Sequence, residues 1–304
     1  MERTKRKIPT AILMSDLHLR EDVPICRTDN YWETQSAKIE FIRALQEKYE
    51  CSILVSGDIF NHWKPSPYLL SWAIEHLPKQ IIAIAGQHDL PQHNTDLIDK
   101  SGLWVLEKAG VAKVLLEGQQ INIDYGITVY GYPFSSKLDN AFVDKKNNKT
   151  IAMCHTLTWS GVKPYPDFTG CSALTLLRKM KDFSAILVGD NHKSFTTEDK
   201  GRILISTGSM MRQTADQIDF KPRVYLWYAD TNTVEPIFLP ISDNVISREH
   251  IDRQEIRDGR ISAFISRLDD DWKAELSFED NLERFFAANE INDTVKDIIY
   301  KAIA

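Results

Sequence analysis

Short apolar runs rich in β-branched residues alternate with longer segments of helical periodicity over the first 240 residues. Apolar runs of this length, bounded by polar residues or glycine, are typical of buried β-strands. They predict strands at residues 9–14, 52–56, 80–85, 128–131, 150–154, 185–188, 202–206, 224–228 and 233–238.

Helical periodicity fills the gaps between the early strands. It predicts helices at residues 31–49, 67–77 and 95–109, and Gly110 is expected to end the third. An alternation of strands and helices predicts an α/β sheet covered by helices. The later strands follow one another more closely, which indicates a second sheet stacked on the first.

The chain becomes mainly helical after Pro240. Ser277 and Asp280 have the spacing of a helix start, and Asn292 indicates the start of a last helix. Apolar residues at helical spacing follow both starts, namely Leu282, Phe285, Phe286, Val295, Ile298, Ile299 and Ile303. We therefore predict two domains, residues 1–240 and a short helical extension at residues 241–304.

Composition and charge narrow the class of protein. With 43% hydrophobic and 26% charged residues, the 304-residue chain is globular rather than disordered. The net charge of -6 argues against a protein that binds nucleic acid unaided. However, residues 241–304 hold 15 acidic and 9 basic residues, so the first 240 residues are balanced at 28 of each. A local basic surface is therefore compatible with the first domain.

The chain has no apolar run near the length of about 20 residues that spans a bilayer. Its four cysteines form no C-x-x-C pair, so neither a disulfide framework nor a zinc finger is indicated. We expect a cytoplasmic protein without a membrane partner.

Five short motifs each follow a predicted strand. They are Asp16-Leu17-His18, Gly57-Asp58, Gly86-Gln87-His88-Asp89, His155 and Gly189-Asp190-Asn191-His192. Each motif alone is weak evidence, since Gly-Asp after a strand is usually a turn. Five in order at strand ends indicate a site, because ligands bind where strand ends converge. Mixed carboxylate and imidazole ligands suit first-row divalent metals such as Mn²⁺ or Fe²⁺.

The motifs resemble those of the calcineurin-like metallophosphoesterases, whose pattern is D-x-H, G-D, G-N-H-D/E, H and G-H-x-H. Here they read SDLHL, SGDIF, AGQHD, MCHTL and VGDNH. The resemblance covers residues 9–240 and implies an α/β fold of two stacked mixed sheets flanked by helices. Within the superfamily, the segments GDIFNHWKPSP, GQHDLP and ISTGSMMRQTADQIDFKPRVYLWY are similar to SbcD-type exonuclease subunits of DNA repair.

The resemblance also implies roles for individual residues. Asp16, His18 and His192 would hold one metal ion, Gln87, His155 and Asp190 a second, and Asp58 both. Two ions about 3.5–4 Å apart can activate a hydroxide and neutralise charge on the attacked phosphate. His88 matches the family histidine that contacts the phosphate and helps the leaving oxygen depart.

Two residues depart from the family pattern in the predicted metal site. Gln87 stands where the family has asparagine, and Asp190 stands where it has histidine. A third carboxylate favours harder ions, so we expect Mn²⁺, with Mg²⁺ or Fe²⁺ as alternatives, rather than Zn²⁺. The same changes are also compatible with a weakened enzyme or a metal-holding relic.

A third departure concerns substrate binding. Nuclease relatives often carry a histidine directly after G-D-x-F, where this chain has Asn61. The next residue, His62, either replaces that histidine through a loop shift or is simply exposed. Lys64 is a further candidate for a phosphate contact. We take Asn61, His62 and Lys64 as candidate substrate-binding residues.

The leading hypothesis is a two-metal phosphodiesterase that hydrolyses DNA with a metal-activated hydroxide, as nuclease subunit of an SbcC/SbcD-like complex. One alternative is a phosphoesterase acting on a nucleotide or cyclic nucleotide, and another is a non-catalytic metal-binding subunit. The resemblance implies that the C-terminal segment is either a reduced cap or a pair of helices that bind an SbcC-type ATPase. The sequence leaves a homodimer open.

Overall fold

The computed structural model describes residues 8–124, 126–140, 143, 149–163, 167–271 and 277–303. Contacts divide the chain into two compact units, Met1–Ser247 and Arg248–Ala304. The assignment of a catalytic role to the first and of a capping or partner-binding role to the second stays a prediction.

The described residues form fourteen strands and seven α-helices. The strands are β1 Ala11–Met14, β2 Ser52–Ser56, β3 Ile81–Ile84, β4 Ala112–Val114, β5 Gln120–Asp124, β6 Ile127–Tyr132, β7 Lys149–His155, β8 Thr158–Trp159, β9 Cys171–Ser172, β10 Ala185–Gly189, β11 Phe195–Asp199, β12 Arg202–Ser206, β13 Arg223–Tyr228 and β14 Thr233–Phe238. The helices are α1 Tyr31–Tyr49, α2 Pro67–His76, α3 Gly102–Lys108, α4 Ala173–Lys179, α5 Glu249–Asp271, α6 Phe278–Ala288 and α7 Asp293–Ile303.

Two six-stranded sheets form the body of the first unit. One has the strand order β14-β13-β1-β2-β3-β4, and the other has the order β11-β12-β10-β7-β6-β5. In each sheet four strands run parallel, and antiparallel strands complete the edges. The fold is therefore an α/β sandwich of two mixed sheets flanked by helices, which confirms the predicted fold class.

Alternating side chains of the strands fill separate apolar layers. On β1, Leu13 faces the layer between the sheets, which also contains Met153 and Leu187 of the second sheet. Its neighbour Ile12 faces the opposite side and packs with Ile39 of α1. Because successive side chains of a strand point to opposite faces, a strand buried on both sides must be apolar throughout. This explains why the central strands appear as unbroken apolar runs.

The predicted helix at residues 95–109 was wrong as a single element. The chain forms a 3-10 turn at Thr95–Lys100 and then α3, separated by Ser101. Ser101 has extended backbone angles, and its side chain accepts a hydrogen bond from the Trp104 N–H. A serine in this role caps a new helix, so it interrupts the earlier one.

The C-terminal unit contains the two predicted helices. α6 follows Ser277, whose side chain accepts from the Asp280 N–H, and Leu282, Phe285 and Phe286 of α6 are buried. The apolar residues of α7 are not all covered, since Ile298 is 62% exposed. Within the described residues, no helix is both long and apolar enough to cross a bilayer.

Candidate metal centre

The candidate site lies at the carboxyl ends of parallel strands from both sheets. Asp16 follows β1, Asp58 follows β2, Gln87 and His88 follow β3, His155 ends β7, and Asp190 and His192 follow β10. Parallel strands end at the same edge of a sheet, and the two stacked sheets bring their edges together here. The fold thus converts five distant sequence motifs into one rim.

Three groups of side chains have ligand atoms within 4.8 Å of one another. The groups are Asp16, His18 and His192; Asp16, Asp58 and His155; and His18, Asp58 and His88. Asp16 and Asp58 each belong to two groups, so the clusters share carboxylates and form one centre. The arrangement matches what a pair of divalent ions needs, namely a shared carboxylate between two sets of ligands.

Asp58 has the geometry of the shared ligand. It is 0% exposed, and its Oδ1 accepts a hydrogen bond from the His88 N–H at 2.9 Å. Its Oδ2 is buried without a hydrogen-bond partner among the described residues, 3.7 Å from Nε2 of His18 and 3.4 Å from Nε2 of His155. A buried carboxylate oxygen without a partner is costly unless a cation binds it. The residues therefore fit a divalent metal.

His155 is oriented in the manner typical of a metal ligand. Its Nδ1 lies 2.7 Å from the Ser56 carbonyl oxygen, to which it donates as N–H. In the neutral ring, which is the form that binds a metal, Nε2 carries the lone pair. This atom is buried without a hydrogen-bond partner in the described part of the chain. A backbone carbonyl that fixes one ring nitrogen leaves the other ready to bind a metal.

His18 and His192 meet through their Nε2 atoms at 3.0 Å. Two unprotonated ring nitrogens repel each other at this distance, so a proton or another cation must be shared between them. Nε2 of His192 also lies 4.0 Å from Oδ1 of Asp16. The three side chains therefore present two nitrogens and a carboxylate to one point, which fits a first-row divalent ion.

The charges of the site shift the pKa values of its members. Burial raises the pKa of Asp16, and burial lowers the pKa of His18 to about 3. Burial alone would lower the pKa of His155, but the charges of Asp58 and Asp16 outweigh it and raise the pKa to about 10. Burial would raise the pKa of Asp58, yet His155 and His18 hold it below its usual range. The carboxylates thus attract positive charge, which a metal ion supplies.

The backbone is strained at the same residues. Asp16, His18, Asp58 and Asp190 all have positive φ, between 46° and 87°. Such conformations cost about 1–3 kcal/mol each and concentrate at functional sites. Glycine is required beside them, because a Cβ on Gly86 would meet Oδ1 of Asp58. The fold therefore gives up some stability to hold these side chains in place.

The two departures from the family pattern contact each other. The Gln87 amide donates from Nε2 to Oδ1 of Asp190 at 2.7 Å. Asp190 belongs to none of the three groups found among the described residues. The ligand roles of Gln87 and Asp190 therefore stay predictions, and the structure adds that the two side chains are paired.

His88 belongs to one of the three groups, together with His18 and Asp58. Its Nδ1 lies 2.9 Å from the Asn61 carbonyl oxygen, and its ring centroid is 4.9 Å from that of His18. Asn61 thus positions His88 through its backbone. His62 and Lys64 are exposed, and the Lys64 N–H donates to Nδ1 of His62. Substrate contacts by Asn61, His62 and Lys64 stay predictions.

The loop after β12 supports Asp16, although none of the five sequence motifs includes it. Thr207 lies 2.8 Å from the Ser15 hydroxyl, and Ser15 in turn donates to the Asp16 carboxylate. The Met210 N–H donates to the Asp16 carbonyl oxygen at 3.0 Å. Because β12 runs parallel to β10, its end reaches the same rim. Knowing that β12 lies beside β10 would have placed this loop at the site. The residues of the loop themselves carry no metal-ligand motif.

Lys38 supports that loop from α1. It is 1% exposed, and its Nζ donates to the Met210 carbonyl oxygen at 2.9 Å. Burial and the nearby charges of Arg27 and Arg212 lower its pKa to about 7, and Asp29 opposes them. A buried lysine in this position is neutral or charged depending on pH near neutrality.

We expect Lys38 to make the free energy of unfolding increase with pH above about 7. Between pH 7 and its ordinary pKa near 10.5, the unfolded chain holds a proton that the folded protein lacks, so stability rises with pH. The Lys38→Met variant should lose this increase of up to about 1 kcal/mol per pH unit. Urea unfolding between pH 6.5 and 9 measures it, with the exposed Lys79→Met as control. Parallel curves for wild type and Lys38→Met would contradict the assignment.

A family model and several solved structures match this chain. A sequence model of the family "Calcineurin-like phosphoesterase" matches residues 10–194. An archaeal phosphodiesterase structure has 11% identity and a TM-score of 0.40, covering 75% of this chain and 99% of that chain. The protein TT1561 of Thermus thermophilus has 10% identity and a TM-score of 0.49, covering 77% and 100%. Comparison with curated proteins finds no match. The family match spans all five motifs.

Proposed function

This chain belongs to the calcineurin-like phosphoesterase family, and we propose that it hydrolyses phosphodiester bonds in DNA with two divalent ions. The observation that carries the proposal is the buried Asp58 carboxylate. Its Oδ2 has no hydrogen-bond partner among the described residues and lies 3.7 Å from Nε2 of His18 and 3.4 Å from Nε2 of His155. A carboxylate shared by two ligand clusters is the feature that a two-metal phosphoesterase requires.

In this proposal the protein side chains hold the ions and orient the phosphate. Asp16, His18 and His192 would hold one ion, Gln87, His155 and Asp190 would hold the other, and Asp58 would contact both. When bound, the ions supply Lewis acidity that activates water and neutralises charge on the attacked phosphate. His88 donates from Nδ1 to the Asn61 carbonyl oxygen. When both ring nitrogens carry a proton, Nε2 could give its proton to the departing oxygen, which would leave a neutral ring that still donates from Nδ1.

The segments that are similar to SbcD-type subunits favour DNA as the substrate. The first 240 residues carry balanced charge, so a partner ATPase would supply much of the DNA-binding surface. The net charge of -6 favours the second candidate, a phosphoesterase of nucleotides or cyclic nucleotides, which needs no basic groove. We also propose Mn²⁺ as the working ion, because Asp190 adds a third carboxylate beside Asp16 and Asp58.

A substrate panel tests the proposal. The purified protein with Mn²⁺ is given linear double-stranded DNA, single-stranded DNA, nucleotides and cyclic nucleotides, with Asp58→Asn as the inactive control. If the wild-type protein releases nucleotides from DNA and Asp58→Asn does not, the nuclease hypothesis is supported. Hydrolysis of the small substrates alone would favour the second candidate. Absence of both activities, at full metal occupancy, would favour a non-catalytic subunit.

The C-terminal unit is proposed to bind the ATPase partner. Leu282, Phe285 and Phe286 are buried in a cluster with Ile291 and Ile299, so α6 and α7 pack together. Ile298 and Val295 remain 62% and 44% exposed on α7. Burying several such side chains at about 1.5–3 kcal/mol each is enough for a specific contact.

Truncation after Ser247 should remove partner binding and leave catalysis. The cut falls at the boundary of the two compact units, so the first unit keeps all of its own residues. We expect an unchanged melting temperature for the remaining unit, full activity on a short oligonucleotide and no co-purification with an SbcC-type ATPase. Ile298→Asp in the full chain should weaken co-purification without unfolding. A large drop in melting temperature with no partner captured would show that the segment serves the body's own stability.

A further inference from the structure

Two residues that depart from the family pattern are joined by a hydrogen bond across the two sheets. Gln87 follows β3 in one sheet, and Asp190 follows β10 in the other, 103 positions along the chain. Nε2 of Gln87 donates to Oδ1 of Asp190 at 2.7 Å. Because the two unusual residues contact each other, we interpret them as one joint change rather than as two separate losses of metal ligands.

The bond determines which atoms remain free. Because the Gln87 amide nitrogen is used on Asp190, its carbonyl oxygen is the atom left over. That Oε1 is buried and has no hydrogen-bond partner among the residues described. Only one of the two carboxylate oxygens of Asp190 takes part in the bond. The pair thus offers oxygen atoms, where the family pattern offers an imidazole nitrogen at position 190.

The pair is also connected to the first ion's ligands. The Asp190 N–H donates to Oδ1 of Asp16 at 3.0 Å. Asp190 has a φ of 87°, a region in which aspartate, asparagine and histidine are enriched among non-glycine residues. A histidine or asparagine at position 190 is therefore compatible with the backbone, which makes the exchange testable in a folded protein.

We propose that Gln87 and Asp190 act as one unit that makes the second metal position prefer Mg²⁺ and Mn²⁺ over Zn²⁺. The proposal rests on the metal pair of the proposed function. Carbonyl and carboxylate oxygens suit hard ions, whereas imidazole suits Zn²⁺. The Gln87 amide fixes the carboxylate, so changing one residue alone leaves the other without its partner. Orienting partners of this kind affect metal affinity about 10–100-fold.

The test is a double-mutant cycle on metal binding in the absence of substrate. Wild type, Gln87→Asn, Asp190→His and Gln87→Asn/Asp190→His are titrated with Mn²⁺ and with Zn²⁺. Bound metal is counted by elemental analysis after dialysis, and Mn²⁺ affinity is measured by electron paramagnetic resonance. Asp230→His adds a histidine in the β13–β14 turn, away from the rim, and serves as the matched control. Apo melting temperatures show which variants are folded.

We expect Gln87→Asn alone to weaken one of the two Mn²⁺ ions about tenfold. Asp190→His should shift the ratio of Zn²⁺ to Mn²⁺ affinity towards Zn²⁺ by about tenfold or more. The double variant should regain two bound ions with the Zn²⁺ preference, so the two effects are not additive. Asp190→Asn, which keeps the shape and removes the charge, should shift the ratio in the same direction if the histidine variant does not fold.

If the effects of the two substitutions on metal affinity are additive and the ratio of Zn²⁺ to Mn²⁺ affinity is unchanged, Gln87 and Asp190 do not act as one unit. The proposed function would then still stand. A wild-type protein that binds fewer than two ions would overturn both, since the second position would not exist. The two failures are thus distinguished by the wild-type stoichiometry.

Discussion

The Asp58→Ala variant should have no phosphodiesterase activity and should bind at most one divalent ion. Asp58 belongs to two of the groups that could hold a metal, and its buried Oδ2 has no hydrogen-bond partner among the described residues. Loss of this carboxylate would remove a ligand from both ions and the negative charge that offsets them. Elemental analysis of the dialysed protein and an assay with Mn²⁺ measure the two effects.

Two further variants separate the loss of the Asp58 charge from the loss of its side-chain volume and from the loss of any surface charge. Asp58→Asn keeps the size of the side chain and removes its charge, so it should retain the fold while losing activity. Asp230→Ala removes the same charge from an exposed turn and should change neither property. An Asp58→Ala protein with two bound ions would contradict the shared-ligand role.

The His88→Ala variant should keep two bound ions and lose turnover by about 10²–10⁴-fold. The reason is its placement, because Nδ1 is fixed on the Asn61 carbonyl oxygen and Nε2 of the doubly protonated ring can then act as an acid. The loss should be much smaller with a nitrophenyl phosphodiester, whose leaving group departs without a proton. Steady-state rates on both substrates, together with the number of bound ions per protein, test this prediction.

His88 also forms a group with His18 and Asp58, so its geometry admits a second role. If the His88→Ala protein lost metal and activity together, and lost them equally on both substrates, His88 would be a ligand rather than an acid. Asn61→Ala provides the matched comparison, since it keeps the backbone carbonyl that holds His88.

The buried parts of the fold were predictable from sequence, and the edges were not. Central strands such as β2 and β10 are apolar on both faces, so they stand out as short hydrophobic runs. β11, with the sequence FTTED, lies at a sheet edge and is half exposed, so it carries little apolar signal. Ser101 breaks a helical pattern through a local hydrogen bond, which periodicity does not register.

The site divides in the same way. The proximity of Asp16, Asp58 and His155 was predictable, because each stands in a short motif at or just after the end of a buried strand. Lys38 and Thr207 were not, because they act through contacts over long sequence separations and no spacing marks them. The pairing of Gln87 with Asp190 likewise depends on two sheets meeting, although both substitutions were visible in the sequence. Long-range contacts of this kind require the topology.

A crystal structure of the protein with Mn²⁺, with the ions located by anomalous scattering, would show whether the rim holds two ions. We expect two manganese peaks at the rim, with the Asp58 carboxylate about 2.1 Å from both and Asp16 bound to one of them. His155 should bind the other. A structure in which the Asp16 and Asp58 carboxylates lie more than about 3 Å from any ion would contradict this expectation.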